Sequence, residues 1–198
     1  QPLLERQMRH LVRLVDDLLD ISRINRGKID LRMGMVDLRD AAGAALEAHN
    51  TALTSAQRQL HTFFPQEPLM VRGDFIRLVQ IVGNLLSNAA KYTGDDSQIW
   101  VRLHRCDNQV RLSVRDDGNG IAPERLGELF QMYMQVGGDS GRGLGIGLAL
   151  VRSLVEMHGG RVEAHSEGLH CGSEFVVWLP LASASTAARS PDCTAPSM

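Results

Sequence analysis

Four glycines alternate along Gly141-Arg142-Gly143-Leu144-Gly145-Ile146-Gly147, a spacing that leaves the main chain bare enough to approach another group closely. Thirteen of the nineteen glycines fall between Gly118 and Gly172, so such close approaches concentrate in the second half of the chain. A flexible linker would be polar, whereas Leu144, Ile146, Leu148, Ala149 and Val151 are apolar. The run is expected to lead into a helix over Leu144 to His158, whose first amides and dipole favour an anion such as phosphate. No Lys-Ser or Lys-Thr follows, so it is not a Walker loop, and the dinucleotide pattern with a strand directly upstream is not met either. Arg142 could meet a phosphate charge, although an exposed arginine explains it equally well.

Two further segments precede the glycine run. Asp116 follows an apolar alternation, Val110 to Val114, and is itself followed by Gly118 and Gly120. Its carboxylate is expected at a strand end, over backbone that can come close to a ligand, where an acceptor suits the amino group of adenine. The same residues are also good turn chemistry. Upstream, a helix predicted over Asp74 to Lys91 turns Leu78, Ile81, Val82, Leu85, Leu86 and Ala89 inward. Arg77, Gln80, Asn84, Asn88 and Lys91 then fall along one polar stripe. Amide oxygens are hard neutral ligands suited to magnesium, but Asn-x-x-x-Asn alone also fits a solvated helix face.

The remaining pattern describes a mixed domain with an added helix. Residues 1 to about 26 carry a broad apolar stripe that includes Leu4, Met8, Leu11, Leu14, Val15, Leu18 and Ile21, which fits a helical bundle and requires a partner helix. Gly27 is expected to end this helix. Alternation over Ile29 to Met35 predicts a strand, and Asp37 predicts the start of a helix reaching about Gln57. Strands are expected over Leu60 to Phe64, Leu69 to Arg72, Gln98 to Cys106, Gln109 to Arg115, Arg161 to His165 and Ser173 to Leu179. A hairpin at Asp107-Asn108 and a short helix over Pro123 to Phe130 complete the scheme. The division is 1–27 as a helix of a bundle, 28–181 as the main domain, and 182–198 as a disordered linker or tail rich in Ala, Ser, Thr and Pro.

Composition narrows the partner classes. With 198 residues and a net charge of −2, basic residues scattered, the chain lacks the electrostatic footprint of a nucleic-acid binder. No apolar run is long enough to span a bilayer. Cys106, Cys171 and Cys193 show no metal-ligand spacing and read as incidental thiols of a reducing cytoplasm. The start at Gln1 falls within a helical pattern, so a longer parent is expected, with any inner-membrane anchor outside these residues.

Taken in order, these motifs resemble the C-terminal kinase core of bacterial sensor histidine kinases, in the superfamily shared with gyrase, the heat-shock chaperone and the mismatch-repair ATPases. The resemblance covers residues 4 to 180. Leu14 to Arg23 resembles the second helix of the dimerisation domain, and Asn84 to Thr93 the N box. Asp116 to Ile121 resembles the first glycine box, Leu129-Phe130 the F box, and Gly141 to Gly147 the second glycine box. The resemblance implies an α+β fold, the Bergerat (GHKL) two-layer sandwich, with ATP and Mg2+ as cofactors. It implies Asn88 on magnesium, Lys91 near phosphate, Tyr92 beside the base, Asp116 on adenine, and residues 131 to 143 as a mobile lid. Asn84, Gly118, Gly120, Ile121, Gly141, Arg142, Gly143, Leu144, Gly145 and Gly147 complete the implied ATP-binding set. Implied partners are a response regulator or receiver domain, and a second copy through the N-terminal helix.

Two departures from the family pattern bear on function. The phosphoacceptor histidine with its acidic neighbour is absent, and His10, in Met8-Arg9-His10-Leu11, lacks that neighbour. Met132-Tyr133 replaces the second phenylalanine of the F box. A hydrolytic ATPase of the same superfamily would need a glutamate where Asn84 stands, and an amide cannot act as that base. The other alternative is a degenerate nucleotide-binding scaffold. Phosphoryl transfer to a histidine outside these residues is the reading the motifs favour.

Overall fold

Strict alternation of apolar and polar residues builds a hairpin from β4 (Gln98–Cys106) and β5 (Gln109–Asp116), paired from Ile99↔Asp116 to Cys106↔Gln109. A computed structural model describes residues 2–54, 58–131 and 146–182 of the chain. The hairpin turns where expected, with Asp107 at φ 51. Ile99, Val101, Leu103, Val110, Leu112 and Val114 point to one side and are buried, forming the sheet's contribution to the core.

Around that hairpin lie β2 (Gln59–Phe63), parallel to β4, and β7 (Ser173–Pro180) with β6 (Arg161–His165), both antiparallel. The order in the five-stranded sheet is β2-β4-β5-β7-β6. A separate two-stranded ribbon joins β1 (Gly34–Asp37) to β3 (Met70–Gly73). Alternation had suggested a strand from Ile29, but β1 starts at Gly34. Its partner among the described residues is the four-residue β3, which offers no edge to the earlier residues.

Helices α2 (Leu38–Thr54), α3 (Phe75–Tyr92) and α5 (Gly147–Met157) form the second layer. Ala41, Ala42 and Ala45 of α2 are fully buried, and small residues there let α3 approach closely. At the crossing, a Cβ on Gly83 of α3 would stand 2.9 Å from the His49 ring. The short α4 (Pro123–Leu126) ends four residues before the predicted limit, and Leu129 is buried beyond it. Cys106, expected as an incidental thiol, is disulfide-bonded, whereas Cys171 is free and exposed.

Helix α1 (Pro2–Asn25) ends where Gly27, at φ 62, donates to Ile24 O and Lys28 N donates to Arg23 O. Among the described side chains of α1, Ile21 joins the core with Ile24 packed beside it. Met8, Leu11, Val12, Val15, Leu18 and Leu19 remain exposed. Among the described residues no helix is long and apolar enough to cross a membrane.

Candidate functional site

Helix α3 carries the polar stripe toward the site and is held at its start by a dense set of hydrogen bonds. Asp74 Oδ1 accepts from the amides of Ile76 (3.0 Å) and Arg77 (3.2 Å), the expected capping geometry. Its other oxygen accepts from Arg32 N, and its own amide donates to His158 Nε2 at 3.0 Å. Because that nitrogen accepts, the His158 ring must carry its proton on Nδ1, which lies 2.7 Å from Leu154 O. The ends of α3 and α5 are thereby tied together.

At the far end of α3, the loop after β5 folds back against the helix. Asn119 N donates to Tyr92 O at 3.1 Å. A Cβ on Gly118 would stand 2.4 Å from that same oxygen, so only glycine allows this contact. Asp117 Oδ1 accepts from Gln98 N at 2.8 Å and secures the loop to β4.

Asp116 itself is buried, 3% exposed. One carboxylate oxygen accepts from Gly118 N at 2.9 Å and the other from the Ser173 hydroxyl at 2.6 Å. Burial pushes its carboxyl above the usual 3.8, while Ser173 and Gly118 pull it back. The Ser173 backbone donates to the carboxylate as well, so three of its roughly four acceptor sites are used and the group is fixed in place with capacity for one more donor. That matches the chemistry of an exocyclic amino group.

The loop between β6 and β7 braces this carboxylate, a part of the site that the sequence reading left out. Ser166 Oγ accepts from Ile121 N at 3.0 Å and lies 2.7 Å from Gly172 O. His170 N donates to Asn119 O, and Gly172 N to Gly118 O. Gly120, at φ 64, comes so close that a Cβ would lie 2.0 Å from Gly168 O. The signal available in the sequence was the pairing of Ser166-x-Gly168 with Gly172-Ser173 just ahead of an apolar strand.

The other half of the site lies toward the start of α5. A Cβ on Gly147 would be 3.9 Å from Asn84 Cγ, so Asn84 faces the first turn of α5. Its Nδ2 is buried with no hydrogen-bond partner among the described residues, a donor whose desolvation a ligand acceptor would repay. The N-cap position of α5, Ile146, offers no side-chain oxygen to the first amides. Unpaired donors on two elements fit an anionic group. Asn88, one turn along from Asn84 and half-buried, supplies the amide oxygen suited to magnesium.

Lys91 Nζ donates to Tyr92 Oη at 2.9 Å and sits 4.6 Å from that ring's centre, folded onto its neighbour. Phe130 meets Phe175 edge-on, with Leu129 and Ile121 buried nearby in the core. From Asn84 to Tyr92 the stripe spans about 12 Å at the helical rise, the scale of a nucleotide triphosphate. Gly141, Arg142, Gly143, Leu144 and Gly145, with most of the expected lid, lie outside the described residues.

A family model described as histidine kinase-, DNA gyrase B-, and HSP90-like ATPase matches residues 73–183. Histidine protein kinase DivJ of Caulobacter vibrioides is 38% identical over 184 residues, covering 92% of this chain and 31% of DivJ. The circadian input-output histidine kinase CikA of Synechococcus elongatus is 35% identical, covering 86% of this chain and 23% of CikA. The chain thus spans less than a third of these relatives. Full-length ShkA, solved in complex with AMPPNP, is similar with a TM-score of 0.77 and 30% identity, over 89% of this chain and 37% of ShkA. The mycobacterial sensor histidine kinase MprB gives a TM-score of 0.67 and 27% identity, over 75% of this chain and 98% of that structure.

Proposed function

The chain belongs to the histidine kinase-, DNA gyrase B-, and HSP90-like ATPase family and contains the ATP-binding catalytic domain of a sensor histidine kinase; from that premise we propose that it binds Mg-ATP and passes the γ-phosphoryl group to a histidine on a dimerisation helix outside these residues. The observation that carries this reading is Asp116, a buried carboxylate held by Gly118 N and the Ser173 hydroxyl with acceptor capacity left over. It selects adenine because guanine presents a carbonyl at the corresponding edge, which would set acceptor against acceptor.

The triphosphate runs along the α3 stripe toward α5, where the Asn84 amide and the first α5 amides donate to phosphate oxygens. Lys91 leaves Tyr92 and joins them, and Tyr92 lines the base. The run Gly141 to Gly147, with Arg142, covers the phosphates. Asn88 holds magnesium through its amide oxygen, and the cation supplies neutralisation of phosphate charge. The acceptor ring nitrogen takes the phosphoryl group as the bond to the β,γ-bridging oxygen breaks, ADP leaves, and the ring proton passes to solvent. Asn84 in place of a glutamate leaves water without a base, which favours transfer over hydrolysis.

Residues 1–27 act as part of the dimerisation domain, 28–181 as the catalytic domain and 182–198 as a tail. The exposed apolar side of α1 packs against a bundle that includes the acceptor helix and a second copy of the chain. The next acceptor on this reading is a response regulator or receiver domain, and the compartment is the cytoplasm; the relatives' names support the kinase class.

Calorimetric titration with ATP, with and without magnesium, tests the reading. ATP should bind more tightly than GTP, and Asp116→Ala should abolish the preference; an unchanged preference would remove the adenine assignment. Incubation with labelled ATP should leave this chain unlabelled, and stable label on His10 would overturn the location of the acceptor.

A further inference from the structure

The chain has two tryptophans, and both stand on the side of the five-stranded sheet that faces away from the helices. Val101, Leu112 and Val177 fill the core side, so Trp100, Arg115 and Trp178 at alternate positions project from the other. Each indole is enclosed from both neighbouring strands. Trp100 of β4 lies opposite His61 of β2, whose ring stacks on it at 5.7 Å and 17°. On its other flank Arg115 of β5 sets its guanidinium 5.6 Å from the indole centre. Trp178 of β7 lies between Arg111 of β5 and Arg161 of β6, at 6.0 and 4.6 Å from its ring centre. One row along from Trp100, Arg102 packs over the exposed Phe63 ring at 5.3 Å.

The two sandwiches are built alike but differ in charge. At Trp178 both arginines are neutralised in place, Arg111 by Glu174 and Arg161 by Glu163, each at 2.9 Å. At Trp100 neither Arg115 nor its neighbour Arg102 has a carboxylate partner among the described residues. Glu174, opposite Arg115 in register, is engaged by Arg111. The positive field is felt at His104 on the same face, where burial and then the charges of Arg111 and Arg102 hold the imidazole below its usual 6.5. A guanidinium lying on an aromatic ring keeps its in-plane N–H fork free, and that fork matches a carboxylate.

We propose that this face, centred on Trp100, Arg102 and Arg115, docks an extended acidic segment of another protein, with carboxylates at alternate positions seated on the two guanidiniums. Alternate side chains of an extended chain lie on one side about 7 Å apart. Diagonal cross-strand neighbours such as Arg102 and Arg115 are about 7–8 Å apart, so an acid-x-acid spacing fits them. These 198 residues contain no two acidic residues separated by one position, so none of their segments carries that pattern. A second copy meeting this face with its own would set like charges together. Single-stranded nucleic acid stacks its bases on open ring faces, whereas both indoles here are flanked on two sides. Because α3 and α5 pack on the opposite side of the sheet, docking leaves the candidate nucleotide site open, and the proposal does not depend on the function assigned to that site.

Tryptophan fluorescence reads the face directly, since both indoles lie on it. The probes are a short peptide of alternating Glu and Thr, its Gln-Thr counterpart, and single-stranded oligothymidylate. The Glu-Thr peptide should give a saturable change in emission that weakens by about 5-fold or more between about 50 and 300 mM salt. The Gln-Thr peptide should bind at least about 10-fold more weakly, because it offers no charge to the guanidiniums. Arg102→Gln and Arg115→Gln should each weaken the Glu-Thr peptide by about 5-fold, with ATP affinity within about 2-fold of the parent. Arg161→Gln, at the neutralised sandwich, should bind the peptide like the parent. No saturable change up to about 1 mM peptide, equal binding of the Gln-Thr peptide, or parent-like binding by both Arg102→Gln and Arg115→Gln overturns the proposal. So does an equal loss in Arg161→Gln, which would mean diffuse charge, or tighter binding of oligothymidylate than of the peptide. Should a variant fail to fold, the comparison of the two peptides on the unaltered protein still decides.

Discussion

The two ends of the site differ in what folding has already completed. At the base end, Asp116 is braced by Gly118 and Ser173, the loop is pinned to Tyr92 and Gln98, and the β6–β7 loop closes over it. At the phosphate end, the Asn84 amide is buried without a partner among the described residues, the first turn of α5 has no side-chain cap, and Lys91 rests on Tyr92. On the proposed reading the base end meets a fixed, uncharged edge, so rigidity there lowers the cost of binding and improves discrimination. The phosphate end must receive several negative charges, and donors left unsatisfied in the free protein gain partners only when those charges arrive.

The largest effect should come from breaking the base end's backbone. Gly120→Ala forces a Cβ against Gly168 O at positive φ, and should destabilise the domain by about 3 kcal/mol or more. Urea unfolding measures this, and a variant as stable as the parent would contradict the packing described here. Next, Asp116→Ala should weaken ATP binding by about 1.5 to 3 kcal/mol, roughly 10- to 150-fold, with the melting temperature kept or raised. A buried charge disappears in that variant, so stability and affinity should move in opposite directions.

Titration sharpens the same point. Asp116 has its pKa raised by burial, so its contribution to stability is fully present below 3.8 and is lost as pH rises through the folded value. With the proposed adenine contact, ATP affinity has the opposite dependence, since protonation turns one acceptor oxygen into a donor and weakens the other. It should fall as pH drops through a value above 3.8, and Asp116→Asn should flatten the Asp116 component of both profiles. Ser173→Ala removes one of the contacts that pull the pKa down. It should cost about 1 kcal/mol in affinity and move the acid limb to higher pH.

The smallest change in stability, and the sharpest test of the phosphate end, is Asn84→Leu. Removing an unpaired buried amide should leave stability unchanged or raise it by up to about 1 kcal/mol, while ATP affinity falls. Loss of stability instead would mean that the amide already has a structural partner in the free protein.

Periodicity located β4, β5, α3 and the end of α1 to within a residue or two, because each carries an apolar pattern or cap that neighbours do not disturb. It overran at β1 and α4, where alternation or apolar content continued beyond the available partner. Among the candidate-site residues, Asn84, Asn88, Lys91, Asp116, Gly118 and Gly120 stood out from spacing and turn chemistry, while Tyr92 and the proposed roles came from family resemblance. Ser166, Gly172 and Ser173 were passed over, since the pairing of Ser166-x-Gly168 with Gly172-Ser173 points at Asp116 only once β7 is known to lie beside β5.

By itself, then, the amino-acid order settled which elements form and which residue types stand ready for a nucleotide, because helix and strand periods and glycine freedom are local properties of the chain. Only the tertiary structure decided that β7 lies beside β5, placing Ser173 on Asp116, and that α1 turns Asp17 and Asp20 onto Arg77 and Gln80. Those contacts join residues nearly sixty positions apart. Their energy depends on burial and geometry that exist only once the sheet and helices have packed.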